Sequence, residues 1–166
     1  MPTLVEKDAC ELLDADHVAV KHLFVEYARQ AHAGAAGTGV GAQAAAAMPD
    51  ERLALARKIC AELTVHATIE EEIFYPALGT KIDEPELLDE ARAEHQEAKD
   101  LIAQIDALPA ADATMDDLVA QLARAIEHHV KEERDQLFPK ARASGLDLDA
   151  IGKQLKGRQQ ELQASS

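Results

Sequence analysis

Residues 66–76 read HATIEEEIFYP and residues 129–139 read HVKEERDQLFP. Both spell His, three residues, Glu, five residues, Pro, and both sit in segments whose apolar residues recur at helical spacing. Steps of three and four select Ile59, Leu63, His66, Glu70, Ile73 and Ala77 in the first segment. In the second they select Met115, Leu118, Leu122, Ile126, His129, Glu133 and Leu137. An amphipathic helix turns such a stripe towards the core. A fold that accepts both copies must therefore bury an imidazole and a carboxylate twice.

The duplication runs deeper. Ala15-Asp16-His17-Val18-Ala19-Val20-Lys21 parallels Ala93-Glu94-His95-Gln96-Glu97-Ala98-Lys99, and each precedes one of the His-x3-Glu phrases. His17 lies on the stripe Leu13, His17, Val20, Phe24, Tyr27, and His95 on Leu88, Ala91, His95, Ala98, Ile102, Ile105. The chain reads as two related helical hairpins. His17 and His66 are 49 residues apart and His95 and His129 are 34 apart; the excess is close to the length of the insertion AHAGAAGTGVGAQAAAAMP.

Four amphipathic segments are expected: about Leu4 to Ala31, Pro49-Asp50 to about Pro76, Asp83-Glu84-Pro85 to Leu108, and about Thr114 to Ala143. A shorter fifth helix is expected over 148–163, with Asp147 as its cap. Short connections between consecutive helices favour an all-α, antiparallel up-and-down four-helix bundle with an extra C-terminal helix. Residues 1–145 form the expected bundle domain, with a mobile Gly/Ala-rich loop at about 33–48, and 146–166 a C-terminal helical tail. The palette agrees, since aromatic residues make up only 3% of a chain rich in Ala, Leu and Glu.

The formal charge of −14 disfavours nucleic acid and anionic membrane surfaces, both of which select for Lys and Arg. The start of the sequence has neither the basic nor the apolar region of a signal peptide. No apolar run approaches the ~20 residues that span a bilayer. Cys10 and Cys60 form no framework and suit two buried thiols in a reducing cytoplasm.

Four imidazoles and two carboxylates aimed at one bundle axis need compensating charge, because an unpartnered buried carboxylate costs several kcal/mol. No Lys or Arg lies on the stripes near the histidines. Metal cations would meet the need, and the i, i+4 spacing brings His and Glu side chains to the same helix face. The candidate metal ligands are His17, His66, Glu70, His95, His129 and Glu133.

The pattern His17, His66-x3-Glu70, His95, His129-x3-Glu133, with the endings Phe74-Tyr75-Pro76 and Leu137-Phe138-Pro139, resembles the hemerythrin-like, or HHE cation-binding, domain over about residues 5–143. That resemblance implies a non-haem di-iron centre with an oxo or hydroxo bridge. His17 and His66 would bind one iron, His95 and His129 the other, and Glu70 and Glu133 would bridge. Manganese and zinc accept the same ligands. The chain departs from oxygen-carrying hemerythrins. Ala91 and Lys99 flank His95 where those carry a further His, and Arg134 stands at their Asp spacing. Fewer protein ligands leave exchangeable positions, which favours reaction with O2, peroxide or NO over oxygen transport. Peroxidase-, catalase- or NO-reductase-like activity is the enzyme class implied; iron storage or iron-dependent regulation without turnover is the alternative.

The remaining polar residues read as less involved. His128 and Glu132 point away from the stripe, His22 and His32 read as exposed, and Glu71, Glu72 and Glu94 as solvated faces, any one of which could still fill a missing coordination position. Tyr75 reads as packing, although a tyrosine beside such a site can also bind metal or be oxidised. Asp16 and Glu94, each just before a candidate histidine, are weaker candidates for orienting an imidazole.

Overall fold

The computed structural model describes residues 7–36 and 49–165. Five long helices account for most of them: α1 (Ala9–Ala36), α2 (Pro49–Ile69), α3 (Pro85–Asp106), α4 (Ala113–Glu132) and α5 (Leu148–Ala164). No strand occurs among the described residues. Helices α1 to α4 close a ring in chain order, each against the next and α4 against α1, as an up-and-down bundle requires. The first helix runs on to Ala36, past the expected end at Ala31. Most of the Gly/Ala-rich stretch, 37–48, lies outside the described residues, as do residues 1–6.

Helix ends follow from local chemistry. Pro85 opens α3, where a missing N–H costs nothing. The side chains of Asp112 and Asp147 cap α4 and α5 by accepting from Met115 N and Ala150 N at 2.9 and 3.0 Å. The helical segment Phe138–Ala143 is followed by Gly145 at φ 83°, a left-handed conformation that favours glycine.

The duplicated phrase has a backbone meaning. Both α2 and α4 pass into a π turn, Glu70–Phe74 and Glu133–Leu137, and then resume α-helix over Tyr75–Gly79 and Phe138–Ala143. The turn closes when Tyr75 N–H donates to Glu70 O and Phe138 N–H donates to Glu133 O. The next residue in each copy is a proline, Pro76 or Pro139. A proline inside an α-helix removes a backbone hydrogen bond and clashes with the preceding turn. Placed just beyond a widened turn, it sits at the start of a fresh helical segment instead. Each Glu of the repeat thus opens a π turn, and each Pro follows its closure.

The apolar core divides into two clusters. One contains Leu13, Ile69, Phe74, Tyr75, Leu78, Leu88 and Leu155; the other contains Val20, Ile59, Leu63, Ile102, Ile105, Met115 and Leu122. The two cysteines are free and buried, Cys10 in the first cluster and Cys60 in the second. Between the clusters lies a polar layer. Among the described residues, the buried polar and charged side chains are His17, His66, Glu70, His95, His129 and Glu133. Helix α5 packs on α1 and α2, with Ile151 and Leu155 in the first cluster. Gly152 admits the chain before α1 so closely that a Cβ there would lie 2.7 Å from Lys7 O.

Candidate metal centre

Each bundle helix contributes one imidazole to the polar layer: His17 from α1, His66 from α2, His95 from α3 and His129 from α4. Glu70 and Glu133 are fully enclosed, at 0% exposure. His66 Nε2 lies 2.9 Å from Glu70 Oε1 and His129 Nε2 meets Glu133 Oε1, the two i, i+4 contacts that the spacing predicts. The carboxylates also cross between hairpins. Glu70 Oε1 lies 3.3 Å from His95 Nε2 and 3.9 Å from His129 Nε2, while Glu133 Oε2 lies 3.7 Å from His17 Nε2.

The imidazoles meet in pairs, His17 Nε2 to His66 Nε2 at 3.1 Å and His95 Nε2 to His129 Nε2 at 3.0 Å. Their outer nitrogens explain this orientation. His66 Nδ1 donates to Asp16 Oδ2 at 3.1 Å, and His129 Nδ1 donates to Glu94 Oε1 at 2.8 Å. An ionised carboxylate only accepts, so the proton in each bond is the imidazole's. His17 Nδ1 and His95 Nδ1 face Asp14 Oδ1 and Glu71 Oε2, both at 3.5 Å. Anchoring carboxylates outside and Nε2 atoms inside is the usual arrangement of metal-binding histidines. Asp16 and Glu94, the weaker candidates in the sequence, each orient the histidine of the following helix rather than their own neighbour.

Facing lone pairs and two enclosed carboxylates call for positive charge among them. Protons answer in part. Burial disfavours the imidazolium of His66, yet Glu70 and Asp16 overcome it and push that group up to about 10. Burial likewise opposes His129, but the Glu133 contact prevails and raises it to about 12. Glu70 is held well below the carboxylate range by His66 and the other imidazoles, against the effect of burial. Burial and the Glu70 charge raise Glu133 to about 8. Burial and the neighbouring His66 lower His17 to about 4. Even so, Oε2 of Glu70 and Oε2 of Glu133 have no hydrogen-bond donor.

This donor set fits cations. Glu70, His95, His129 and Glu133 bring one ligand atom each to within 4.8 Å of one another, and so do His17, His66 and Glu133. The two groups share Glu133 and divide the histidines by hairpin. Unpartnered carboxylate oxygens and inward Nε2 atoms are the atoms that borderline divalent and trivalent metals take.

One side chain combines the two roles its sequence position allows. Tyr75 packs in the core, but its hydroxyl also enters the polar layer. It lies 3.2 Å from His95 Nε2 and 3.3 Å from His129 Nε2, and it donates to Glu133 Oε1 at 3.2 Å. Burial, with the charges of Glu70 and Glu133, pushes the phenol well above its ordinary range. Its counterpart in the other half is Phe138, whose ring stacks 6.0 Å from His17. The comparison of the two repeats held the signal: a lone hydroxyl nine residues after one histidine, none after the other.

The other acidic residues divide as follows. Glu71 takes Lys99 Nζ at 3.0 and 2.8 Å, and Glu72 takes Arg158 Nε at 2.8 Å. His128 is 71% exposed in its side chain and contacts Glu94 Oε2 at 3.1 Å. A small cavity of about 30 Å³ adjoins the layer, walled mainly by apolar groups including Val20, Leu63, Ala98, Ile102 and Ile126.

Comparison with known proteins gives this geometry a family. Residues 8–141 match the hemerythrin HHE cation binding domain. The chain belongs to that family. As an HHE domain it also has a solved structural neighbour, a hemerythrin HHE cation binding domain-containing protein from Mycobacterium kansasii. That protein superposes with a TM-score of 0.72 over 96% of this chain and 89% of that one at 23% identity, which establishes the shared fold. A protein from Nostoc sp. (strain PCC 7120) named DNA nickase is 37% identical over 84 residues, or 49% of this chain. The matched stretch covers only 23% of that relative's length. No described helix is long and apolar enough to cross a membrane.

Proposed function

We propose that this HHE domain holds two iron ions between its helical hairpins and binds or reacts with a small species there: O2, peroxide or NO. His17 and His66 would hold one ion, His95 and His129 the other, with Glu70 and Glu133 between them; manganese and zinc would find the same atoms. The observation that carries the reading is the polar layer itself, six enclosed side chains whose Nε2 atoms and carboxylate oxygens face inward between two apolar clusters.

Bound iron supplies Lewis acidity and a reversible one-electron couple. The chain's own residues do the rest. Asp16 and Glu94 keep the imidazole protons outward, so Nε2 is free to ligate. The apolar clusters exclude bulk water, and a cavity of about 30 Å³ has room for a ligand of very few atoms. Ala91 is buried one turn before His95 and Lys99 pairs with Glu71 one turn after it, so α3 offers no second imidazole. This supports reaction at exchangeable positions over simple carriage.

DNA cleavage, as in the name of the Nostoc relative, receives no weight: a formal charge of −14 is unfavourable for gripping a phosphate backbone. A cytoplasmic setting suits the two buried, unpaired cysteines. The test is metal analysis of the purified protein with its optical spectrum before and after peroxide, NO or azide. Two equivalents of iron and a ligand-dependent spectrum are expected. Absence of bound metal after aerobic loading would overturn the proposal, and iron retention without any response to these ligands would favour storage.

A further inference from the structure

The two carboxylates that orient imidazoles are themselves held in different ways. Glu94 is approached at its second oxygen by His128, an exposed side chain on α4. Asp16 is held from outside the four-helix bundle. Gln159, on α5, donates from Nε2 to both of its oxygens, at 3.2 Å to Oδ1 and 3.0 Å to Oδ2. Oδ2 is the same atom that accepts from His66 Nδ1. A continuous chain of hydrogen bonds therefore runs from α5 through Asp16 to a buried imidazole. Gln159 lies beyond residues 8–141, the span of the family match.

We propose that Gln159 is a positioning residue for the metal centre, fixing Asp16 and through it the ring of His66. The inference rests on the proposed function, since it assigns Gln159 to the ion held by His17 and His66. Three features make α5 a firm support. Leu155 and Ile151 are embedded in the apolar cluster below the site. Gly152 lets the helix approach the backbone around Lys7 and Ala9. Arg158 ties the helix to Glu72 in the π turn, at 2.8 and 3.3 Å. An amide that bonds both oxygens of one carboxylate sets its orientation, and an anchored carboxylate sets the tautomer and ring plane of a ligating histidine. Among the described residues no amide bonds both oxygens of Glu94 in the same way; its surroundings on α4 are Glu132 and the solvent-exposed imidazole of His128. The C-terminal helix makes the two metal positions unequal.

The experiment loads full-length protein with zinc or iron and follows metal release into excess chelator. Wild type is compared with Gln159→Leu, with Asp16→Asn, with the double variant, and with Arg158→Leu, which removes a docking contact of α5 without touching Asp16. Substituting a partner of a ligating histidine costs roughly 10- to 100-fold in affinity, and a residue one bond further out should have a smaller effect, about 3- to 10-fold in release rate. Gln159→Leu is expected to speed one of two release phases by that amount and to broaden the His66 Nδ1–H resonance of the zinc-loaded protein. It should add nothing to Asp16→Asn. Melting of the chelated protein should change no more than for Arg158→Leu. Unaltered release, or equal acceleration of both phases by Gln159→Leu and Arg158→Leu, would overturn the assignment while leaving the proposed function intact. A wild-type chain that takes up no metal would overturn both.

Discussion

Tyr75 and Phe138 occupy equivalent places in the two halves and differ by one oxygen atom. That oxygen lies against His95, His129 and Glu133, whereas the Phe138 ring covers His17. Tyr75→Phe is expected to leave both metals bound and to change the optical spectrum of the iron-loaded protein; identical spectra would show that the hydroxyl does not influence the ions. Glu133 is common to both groups of ligand atoms, unlike any histidine. Glu133→Ala should therefore reduce bound metal from about two equivalents towards none, whereas His17→Ala should leave about one. Elemental analysis separates these outcomes, and equal losses in the two variants would contradict the sharing.

At the level of the helix, the π turns are the devices that matter. They allow Glu70 and Glu133 to stay on the inward face while Pro76 and Pro139 continue the same rod, and they place Tyr75 and Phe138 under the polar layer. The link between α4 and α5 depends on Gly145 at φ 83°. Gly145→Ala is expected to cost about 1–2 kcal/mol, the usual penalty for a side chain in the left-handed region, with metal content unchanged. Gly152→Ala should act differently. Its Cβ would meet backbone atoms, Lys7 O at 2.7 Å and Ala9 N at 3.0 Å, so α5 must shift. A loss of about 1–3 kcal/mol in denaturant unfolding is expected, together with faster metal release through the displaced Gln159. Stability and release both at wild-type values would argue against close packing of α5.

Across the whole molecule, the buried charges set a pH dependence. His66 and His129 are raised in the fold to about 10 and about 12 from 6.5. Groups of this kind add stability that is full below their unfolded value and is lost as pH rises through the folded one. Glu133, raised from 4.5 to about 8, adds stability that fades over that interval. Glu70, lowered from 4.5, does the reverse: its contribution is present above the unfolded value and lost in acid. His17, lowered from 6.5 to about 4, also weakens the fold as pH falls below 6.5. Chelator-treated protein should thus melt at progressively lower temperature from about pH 6 to about pH 9. Metal ligation needs these same groups deprotonated, so the gain in melting temperature on adding metal should widen over that range. A gap that narrows with rising pH would contradict ligation by these groups.

Much of this architecture is legible in the chain. Apolar stripes at helical spacing place His17, His66, His95 and His129 on inward faces, because burial of apolar surface orients each helix whatever its neighbours are. Pro85 and Asp147 mark helix starts through local backbone chemistry, and the repeated phrase announces two halves. The partners of Tyr75, Asp16, Glu94 and Gln159 are not legible in the same way. Each acts on a side chain of a different helix, 143 residues away in sequence for Gln159 and Asp16, and a stripe on one helix carries no information about which atom of another lies opposite it. Hydrogen bonds are short and directional. Their partners exist only once the helices have packed at a particular distance and rotation.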